Sequence, residues 1–183
     1  MDAFKPAVWQ TCRVLANEKR LKMLWQLFVH GEMSMGQLAR AVDLKEPNAS
    51  KDLKMLNACG LVRCERRRNY VFYSAAANPE IAHSEALLDA LKQCHCDGWP
   101  FERVILMATA FTHPRRIDIV QALGEGAVEK TRLSVTTQIS PQSLYRHLRK
   151  LKSRGFVAKE GQEVRLLEQT EKLPGALLAA ALG

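Results

Sequence analysis

The sequence has few residues that break regular structure and no run long enough to cross a membrane. Its 10 glycines and 7 prolines are scattered over 183 residues, which argues against disordered segments and long linkers. No run approaches the roughly 18 apolar residues of a membrane helix, and the terminal GALLAAALG is too short to span a bilayer. The opening MDAFKPAVWQ has no charged segment followed by an apolar one and therefore predicts no signal peptide. We expect a cytoplasmic protein.

Motifs of enzyme chemistry are also missing. The sequence contains no glycine-rich phosphate loop, no nucleophile elbow and no pair of carboxylates at a suggestive spacing. The five cysteines are an odd number, which does not suit a closed set of disulfides. In a cytoplasmic protein they are expected as reduced thiols. The sequence predicts that the protein is not an enzyme.

Acidic residues are outnumbered, and the formal net charge is +8 with a pI of about 9.4. A basic surplus favours a polyanionic partner, with nucleic acid first and an anionic membrane second. The surplus is spread over the chain, because residues 1–97 carry a net charge of +3 and residues 98–183 a net charge of +5. The length allows one large domain or two domains of roughly 90 residues.

An internal repeat favours two domains. Residues 14–27 and 110–123 both place a basic pair, Lys19-Arg20 or Arg115-Arg116, before an apolar stripe at helical spacing. Residues 50–62 (SKDLKMLNACGLV) and 145–157 (YRHLRKLKSRGFV) also match in their apolar positions and in one glycine. The order and separation of the two matches are similar. We therefore predict domains at residues 1–97 and 98–183, with the boundary near Asp97-Gly98.

Each predicted domain has the same order of elements. In the first, helices are expected at 4–15, after the cap Asn17 to His30, after the cap Ser34 to Val42, and from Pro47 to Gly60. Strands at 61–66 and 70–75 and a longer helix at about 80–95 follow. In the second, helices are expected at about 100–111, 114–124, 130–138 and 141–154, strands at about 156–160 and 163–167, and a last helix from Glu171 to Leu182 interrupted near Pro174. The predicted fold is mainly α with small β-hairpins (α+β).

Helix, short helix, turn, helix and hairpin together are the plan of a winged helix-turn-helix domain. Its recognition helix enters the major groove of DNA, and its hairpin, or wing, lies beside that helix against the backbone or the minor groove. In the first domain the DNA-binding candidates are Asn48, Ser50, Lys51 and Lys54 on the recognition helix, and Arg66, Arg67, Arg68 and Asn69 on the wing. Three consecutive arginines repel one another, so a phosphate-rich partner is a good reason for them.

In the second domain the recognition-helix candidates are Gln142, Ser143, Tyr145, Arg146 and Arg149. Asn, Gln and Arg side chains can make two hydrogen bonds to a base edge, while Lys and Ser mostly contact phosphates. The second wing, residues 159–163, is short and mildly acidic. We therefore expect the two domains to bind DNA unequally, with the first wing dominant.

These segments resemble the ArsR-type (arsenical-resistance repressor) winged-helix family. The residues that carry the resemblance are 15–21 (LANEKRL), 50–62 and the following Arg-rich hairpin, and then 113–117 (HPRRI) and 145–157. The resemblance implies a transcriptional regulator, and more specifically a repressor that blocks a promoter sterically. Family members usually carry one winged domain and form dimers through terminal helices. Two copies in one chain imply an intrachain pseudo-dimer, with helices 80–95 and 100–111 at the interface and an asymmetric DNA site.

The metal site of the family is not in its usual place. Metal-sensing members often carry Cys-x-Cys on the helix before the recognition helix, where this chain has no cysteine (residues 34–40). Cys94, His95 and Cys96 are weak candidates for metal ligands that Cys12 or His83 would have to complete. The alternative is a helix end with partly buried thiols, and we expect no cofactor.

Two other functions compete with DNA regulation. A tandem winged-helix protein can act as a protein–protein scaffold, resembling the bacterial chromosome-segregation partners of kleisins, but such a scaffold would leave the arginine-rich wing unexplained. An RNA-binding adaptor would need exposed aromatic rings, for which only Tyr70, Phe72 and Tyr73 are available. Double-stranded DNA is the expected partner, with no membrane partner and with self-association through the terminal helices as a further option.

Overall fold

A computed structural model describes residues 6–183. Residues 6–97 form five helices and three short strands. The helices are α1 (Val8–Leu15), α2 (Glu18–His30), α3 (Met35–Ala41), α4 (Glu46–Ala58) and α5 (Ser84–Cys96), and the strands are β1 (Met33–Ser34), β2 (Arg63–Arg67) and β3 (Tyr70–Ser74).

Residues 98–183 contain the same number of each element in the same order. The helices are α6 (Phe101–Ala108), α7 (Pro114–Ala122), α8 (Lys130–Thr137), α9 (Pro141–Lys152) and α10 (Lys172–Leu182), and the strands are β4 (Val128–Glu129), β5 (Val157–Glu160) and β6 (Glu163–Leu166). The predicted fold class, mainly α with small antiparallel hairpins, is confirmed. Within residues 6–183 no helix has the length and apolar character needed to cross a bilayer.

Local sequence explains where several helices begin. The Asn17 side chain accepts a hydrogen bond from the backbone N–H of Arg20 and so satisfies one of the free N–H groups of α2. Ser34 and Gln37 form a reciprocal capping box at the start of α3. Ser140 caps α9, in which Pro141 fills the first position. The predicted caps Asn17 and Ser34 are confirmed.

Some predicted boundaries are wrong. The first helix begins at Val8, since Pro6 and Ala7 are not helical and residues 4–5 lie outside the described residues. The last helix is not interrupted at Pro174, because this proline is the third residue of α10, where the backbone N–H has no helical partner in any case. Arg67 belongs to strand β2, and the turn of the first hairpin is Arg68-Asn69.

The two sheets have the same topology, and each includes a two-residue strand that the sequence analysis did not predict. In the first sheet the order is β1-β3-β2, and in the second it is β4-β6-β5, with all pairs antiparallel. Tyr73 on β3 lies opposite both Met33 and Cys64. Val164 on β6 lies opposite both Val128 and Lys159. Tyr73 and Val164 therefore hold corresponding positions.

Two further details correspond between residues 6–97 and 98–183. The guanidinium of Arg20 donates to the carbonyl oxygens of Val14 (2.6 Å) and Arg13 (3.2 Å), six and seven residues earlier. Arg116 donates to the carbonyl oxygens of Ala110 and Thr109, again six and seven residues earlier. Each arginine thereby fixes the chain segment that precedes α2 or α7. In the turns that precede α4 and α9, a residue other than glycine has a positive φ: Asp43 (52°) before α4 and Gln138 (51°) before α9.

One continuous apolar core runs through both groups of elements. Helix α5 packs against α10, and α6 packs against α1 and α2. The rings of Phe111 and Phe156 meet edge to face with centroids 4.7 Å apart, and Trp25 of α2 contacts Phe101 of α6 at 5.4 Å. Burial of these faces against one another holds the exposed faces of α4 and α9 on a single framework.

Candidate nucleic-acid interface

Helix α4 buries one face and exposes the polar face predicted from the sequence. Its Ala49, Leu53 and Leu56 are buried at helical spacing. Of the predicted contact residues, Asn48, Lys51 and Lys54 are exposed and Ser50 is half-buried. The face that remains carries hydrogen-bond donors and positive charge toward solvent.

An ion pair between Arg20 and Asp52 fastens α4 to α2. The Arg20 Nη1 to Asp52 Oδ1 distance is 3.0 Å, and the two side chains are only 14% and 18% exposed. The sequence marked Arg20 only as part of a repeated basic pair. In the structure it joins the end of α1, the start of α2 and the middle of α4, and it thereby sets the orientation of the exposed α4 face.

The three arginines of the first wing are not equivalent. Arg66, Arg68 and Asn69 are exposed. Arg67, also exposed, donates to both carboxylate oxygens of Glu32, at 2.6 and 2.9 Å, and to Glu65 at 2.7 Å. Hydrogen bonding to Arg67 lowers the pKa of Glu65 below its ordinary value. Two carboxylates thus neutralise Arg67, which corrects the expectation of three mutually repelling side chains.

Helix α9 presents a more basic face than α4. Gln142, Tyr145, Arg146 and Arg149 are exposed and Ser143 is half-buried, as the prediction of an outward face required. Tyr145 is 66% exposed, unusual for a large aromatic ring. The sequence of α9 contains no acidic residue. Its basic charge is therefore not offset within the helix.

A cationic hollow lies where α7 and α9 begin. It has a volume of about 370 Å³, and its lining includes His113, Arg115, Arg146 and His147. The centroids of the two histidine rings are 4.8 Å apart. Burial, and then the nearby cations, lower the pKa of both rings below the ordinary value. Side-chain caps already satisfy N–H groups at both helix starts, from His113 to Arg115 and from Ser140 to Ser143, so the Arg115 and Arg146 guanidinium groups are the part of this hollow that suits a phosphate oxygen. The sequence analysis missed this grouping, whose only local signal was Arg115-Arg116 directly after the start of a helix.

The second wing carries opposing charges. Glu160 accepts from Arg165 at 2.9 Å, which ties the two strands of the hairpin together. At the turn of this hairpin, Lys130 donates to the carbonyl oxygen of Gly161 (3.2 Å) and to the Gln162 side chain (3.1 Å). Lys159 lies close enough to lower the pKa of Lys130. Sequence reasoning assigned no role to Lys130, because it lies 29 residues before Lys159.

The cysteine candidates do not converge. Cys94 is buried, which raises the pKa of its thiol to about 11, while Cys96 is exposed. The His95 ring packs against Trp25 and Phe28, with centroids 5.6 and 5.8 Å apart. Within residues 6–183 no group of three or more His, Cys, Asp or Glu side chains is arranged to hold a metal ion.

The other proposed ligands are also engaged or separated. The His83 Nε2 lies 3.0 Å from the Thr11 hydroxyl, to which it is hydrogen-bonded. Burial raises the pKa of Cys12 to about 12 and also raises the pKa of Cys59. The Cys12 thiol stays protonated near neutral pH and is therefore a poor metal ligand.

Comparison with known proteins bears on the first helix-turn-helix. Residues 17–63 match the family described as "Bacterial regulatory protein, arsR family". This segment runs from the Asn17 cap through α2, α3 and α4 to the first residue of β2. The ArsR-like resemblance predicted from the sequence is confirmed there, while the resemblance of residues 98–183 stays a prediction.

Two curated relatives extend the comparison. The chain is 29% identical over 86 residues to the transcriptional activator HlyU of Vibrio cholerae, covering 47% of this chain and 75% of HlyU. It is 33% identical over 75 residues to the biofilm growth-associated repressor of Agrobacterium fabrum, covering 41% of this chain and 63% of that protein. The solved structure of reduced HlyU aligns with a TM-score of 0.41 and 24% identity, covering 50% of this chain and 87% of HlyU.

Proposed function

We propose that this protein is a sequence-specific DNA-binding transcriptional regulator, and specifically a repressor that occupies a promoter. The observation that carries the proposal is the N-terminal helix-turn-helix. Its segment 17–63 matches the ArsR regulatory family, and its α4 holds Asn48, Lys51 and Lys54 exposed beside an arginine-rich hairpin. The names of both curated relatives describe regulators of transcription or growth, which supports the same function.

The proposed DNA contacts fall into two classes according to the chemistry of the side chain. The Asn48 and Gln142 amides and the Arg146 and Arg149 guanidinium groups are suited to base edges, because each can form two parallel hydrogen bonds. We assign the phosphate contacts to side chains that carry an ammonium group or a hydroxyl, and to exposed residues of the first wing. The proposed phosphate-contact residues are Ser50, Lys51, Lys54, Arg66, Arg68, Asn69, Ser143 and Tyr145. Arg67 orients the wing through Glu32 and Glu65 and contributes less to DNA affinity than its neighbours.

Residues 1–97 and 98–183 act as two winged-helix domains of an intrachain pseudo-dimer. The equal order of elements, the equal strand order of the two sheets, and the Arg20 and Arg116 contacts support this arrangement. The packing of α5 on α10 and of α6 on α1 and α2 supports the predicted interface helices. Because α4 and α9 differ in sequence, the preferred DNA site is asymmetric.

The test is selection of duplex DNA from a random pool, followed by affinity measurements over a salt series. We expect an enriched asymmetric motif and a steep fall of affinity with salt, with a slope of about 0.9 per phosphate neutralised. Weak binding without enrichment would contradict the proposal and favour a protein–protein scaffold. A motif with perfect two-fold symmetry would contradict the unequal pseudo-dimer alone.

Variants of the first wing sharpen this test. Arg66→Ala with Arg68→Ala should reduce the salt slope by about two and weaken binding to all sequences alike. Arg63→Ala is the matched control, because Arg63 is an exposed arginine at the other end of β2, away from the turn. Arg67→Ala should have a smaller effect than either Arg66→Ala or Arg68→Ala. Equal losses for the control and the double variant would remove the wing from the interface.

A further inference from the structure

A groove on the second domain has an apolar floor and a basic rim. It lies between α8, α9 and the β5–β6 hairpin and has a volume of about 480 Å³. Leu144, Leu148, Val157 and Val164 form the apolar floor, in which Leu148 is half-buried and the other three are no more than 3% exposed. Lys130 and Lys159 stand at the hairpin side. Arg149 and Lys152 add two more cations from α9, and no acidic residue lines the groove. A volume of this size falls within the range of small-molecule sites, roughly 300–1,000 Å³.

The first domain shows why the groove is open here. Tyr73 occupies the position that corresponds to Val164, and its side chain is buried. Met35, directly after the two-residue strand β1, corresponds to Lys130 after β4, and Cys64 corresponds to Lys159. The first domain therefore has a larger side chain at the floor and no charge at these two rim positions. These three positions differ between two groups of elements that otherwise correspond in order and strand pairing.

We propose that this groove binds a small organic anion with an aromatic or aliphatic body. The apolar body would cover the floor residues, and the carboxylate or similar anionic group would lie between Lys130 and Lys159. Hydrogen bonding to Lys159, and then burial and charge repulsion, lower the pKa of Lys130; an anion between the two side chains would offset that repulsion. A DNA phosphate would contact the rim alone, whereas a ligand with an apolar body would also contact half-buried Leu148 and the exposed ring of Tyr145.

Occupation of the groove would also affect DNA contact. Tyr145 and Arg149 line the groove and belong to the exposed face of α9. A ligand seated there competes with DNA for these two side chains and lowers the DNA affinity of the second domain. The competition rests on the proposed function, whereas the ligand site does not.

The ligand site is tested on the full chain without DNA. The probes are 1-naphthaleneacetate and its neutral amide, 1-naphthaleneacetamide, which share one shape and differ in charge. Binding is followed by calorimetry and by the methyl NMR signals of leucine and valine. We expect the acetate to bind with a Kd below about 1 mM, to shift the signals of the four floor residues, and to bind roughly fivefold more tightly than the amide.

Two sets of variants test the apolar floor and the basic rim of the groove separately. Val164→Tyr places in the groove the side chain that the first domain has at that position, and it should abolish acetate binding. The control is Val135→Tyr, which adds the same ring at an α8 position that is 79% exposed and outside the groove. Lys130→Gln with Lys159→Gln removes both charges and keeps at position 130 an amide that can still donate to Gly161 and Gln162. It should reduce acetate affinity roughly fivefold while leaving the amide unchanged.

Several results would overturn the site. These are no acetate binding at about 1 mM, equal affinity for acetate and amide, unchanged binding by the Lys130→Gln/Lys159→Gln chain, or signal shifts confined to residues outside the groove. A final titration adds acetate to the complex of the protein with selected DNA. Reduced DNA affinity in the wild type but not in Val164→Tyr supports competition between the ligand and DNA. Ligand binding with unchanged DNA affinity overturns the competition, and a chain that binds acetate but no DNA overturns the proposed function alone.

Discussion

Arg20 and Arg116 make corresponding backbone contacts but differ in one partner, which permits a quantitative prediction. Arg20 bonds two carbonyl oxygens and Asp52, whose side chain is only 18% exposed. Arg116 bonds two carbonyl oxygens and the Thr112 hydroxyl (2.8 Å). Within residues 6–183 no carboxylate pairs with Arg116, and burial and the nearby Arg154 lower its pKa. The two arginines therefore test the same backbone contacts with and without an ion pair.

Replacement by methionine keeps much of the apolar volume and removes the charge. Arg20→Met should lower the free energy of unfolding by about 3 kcal/mol, because it leaves the half-buried Asp52 carboxylate without its cation. Arg116→Met should cost only about 1 kcal/mol, because the hydrogen bonds lost are to neutral groups and an unpaired buried charge is removed with them. For a chain of this size, the urea midpoint of the first variant should fall by about 1 M.

The assay is equilibrium unfolding in urea, followed by circular dichroism and tryptophan fluorescence. The double variant Arg20→Met/Asp52→Asn should recover part of the loss, because the unpaired carboxylate is gone. If Arg20→Met and Arg116→Met cost the same, or if the double variant recovers nothing, then the ion pair does not hold α4 and the reasoning fails.

Two further predictions use the same chain. Gly60→Ala should be more destabilising than Gly155→Ala by about 1–2 kcal/mol in thermal or urea unfolding. Both glycines have a positive φ (72° and 76°). A Cβ at Gly60 would lie 2.9 Å from Ile81 Cδ1, whereas a Cβ at Gly155 would have no atom within 4 Å. Equal losses would show that backbone strain alone decides both. Iodoacetamide at pH 8 should modify the exposed Cys64 and Cys96 first, because burial raises the pKa of Cys12 to about 12 and keeps that thiol protonated until the pH rises far above 8. Peptide mass spectrometry would reveal early labelling of Cys12, which would contradict this burial.

Local patterns in the sequence predict the elements, and long-range contacts decide the details of the site. The apolar spacing of α4 and the caps Asn17 and Ser34 are local, and the structure agrees with them. Strands β1 and β4 have two residues each, too few for alternation to be visible. The neutralisation of Arg67 depends on Glu32, 35 residues earlier, and no local pattern indicates that pairing.

The same limit applies to the groove of the second domain. Lys130 and Lys159 meet only because β4 and β5 flank the same strand. The difference between Tyr73 and Val164 becomes meaningful only through the strand register. The predicted repeat matches residues 14–27 and 50–62 with residues 110–123 and 145–157, and the hairpin positions Lys159 and Val164 lie outside these segments.

The core that joins α5 to α10 and α6 to α1 and α2 bears on how the proposed regulator would respond to its own abundance. A regulator assembled from two separate chains loses its paired form on dilution, so its occupancy of DNA falls more steeply than its concentration. Here both proposed DNA-contacting faces belong to one polypeptide, and their effective concentration is fixed by the fold. Occupancy of a promoter would then follow the amount of protein in simple proportion at low expression, even when a cell contains only a few copies.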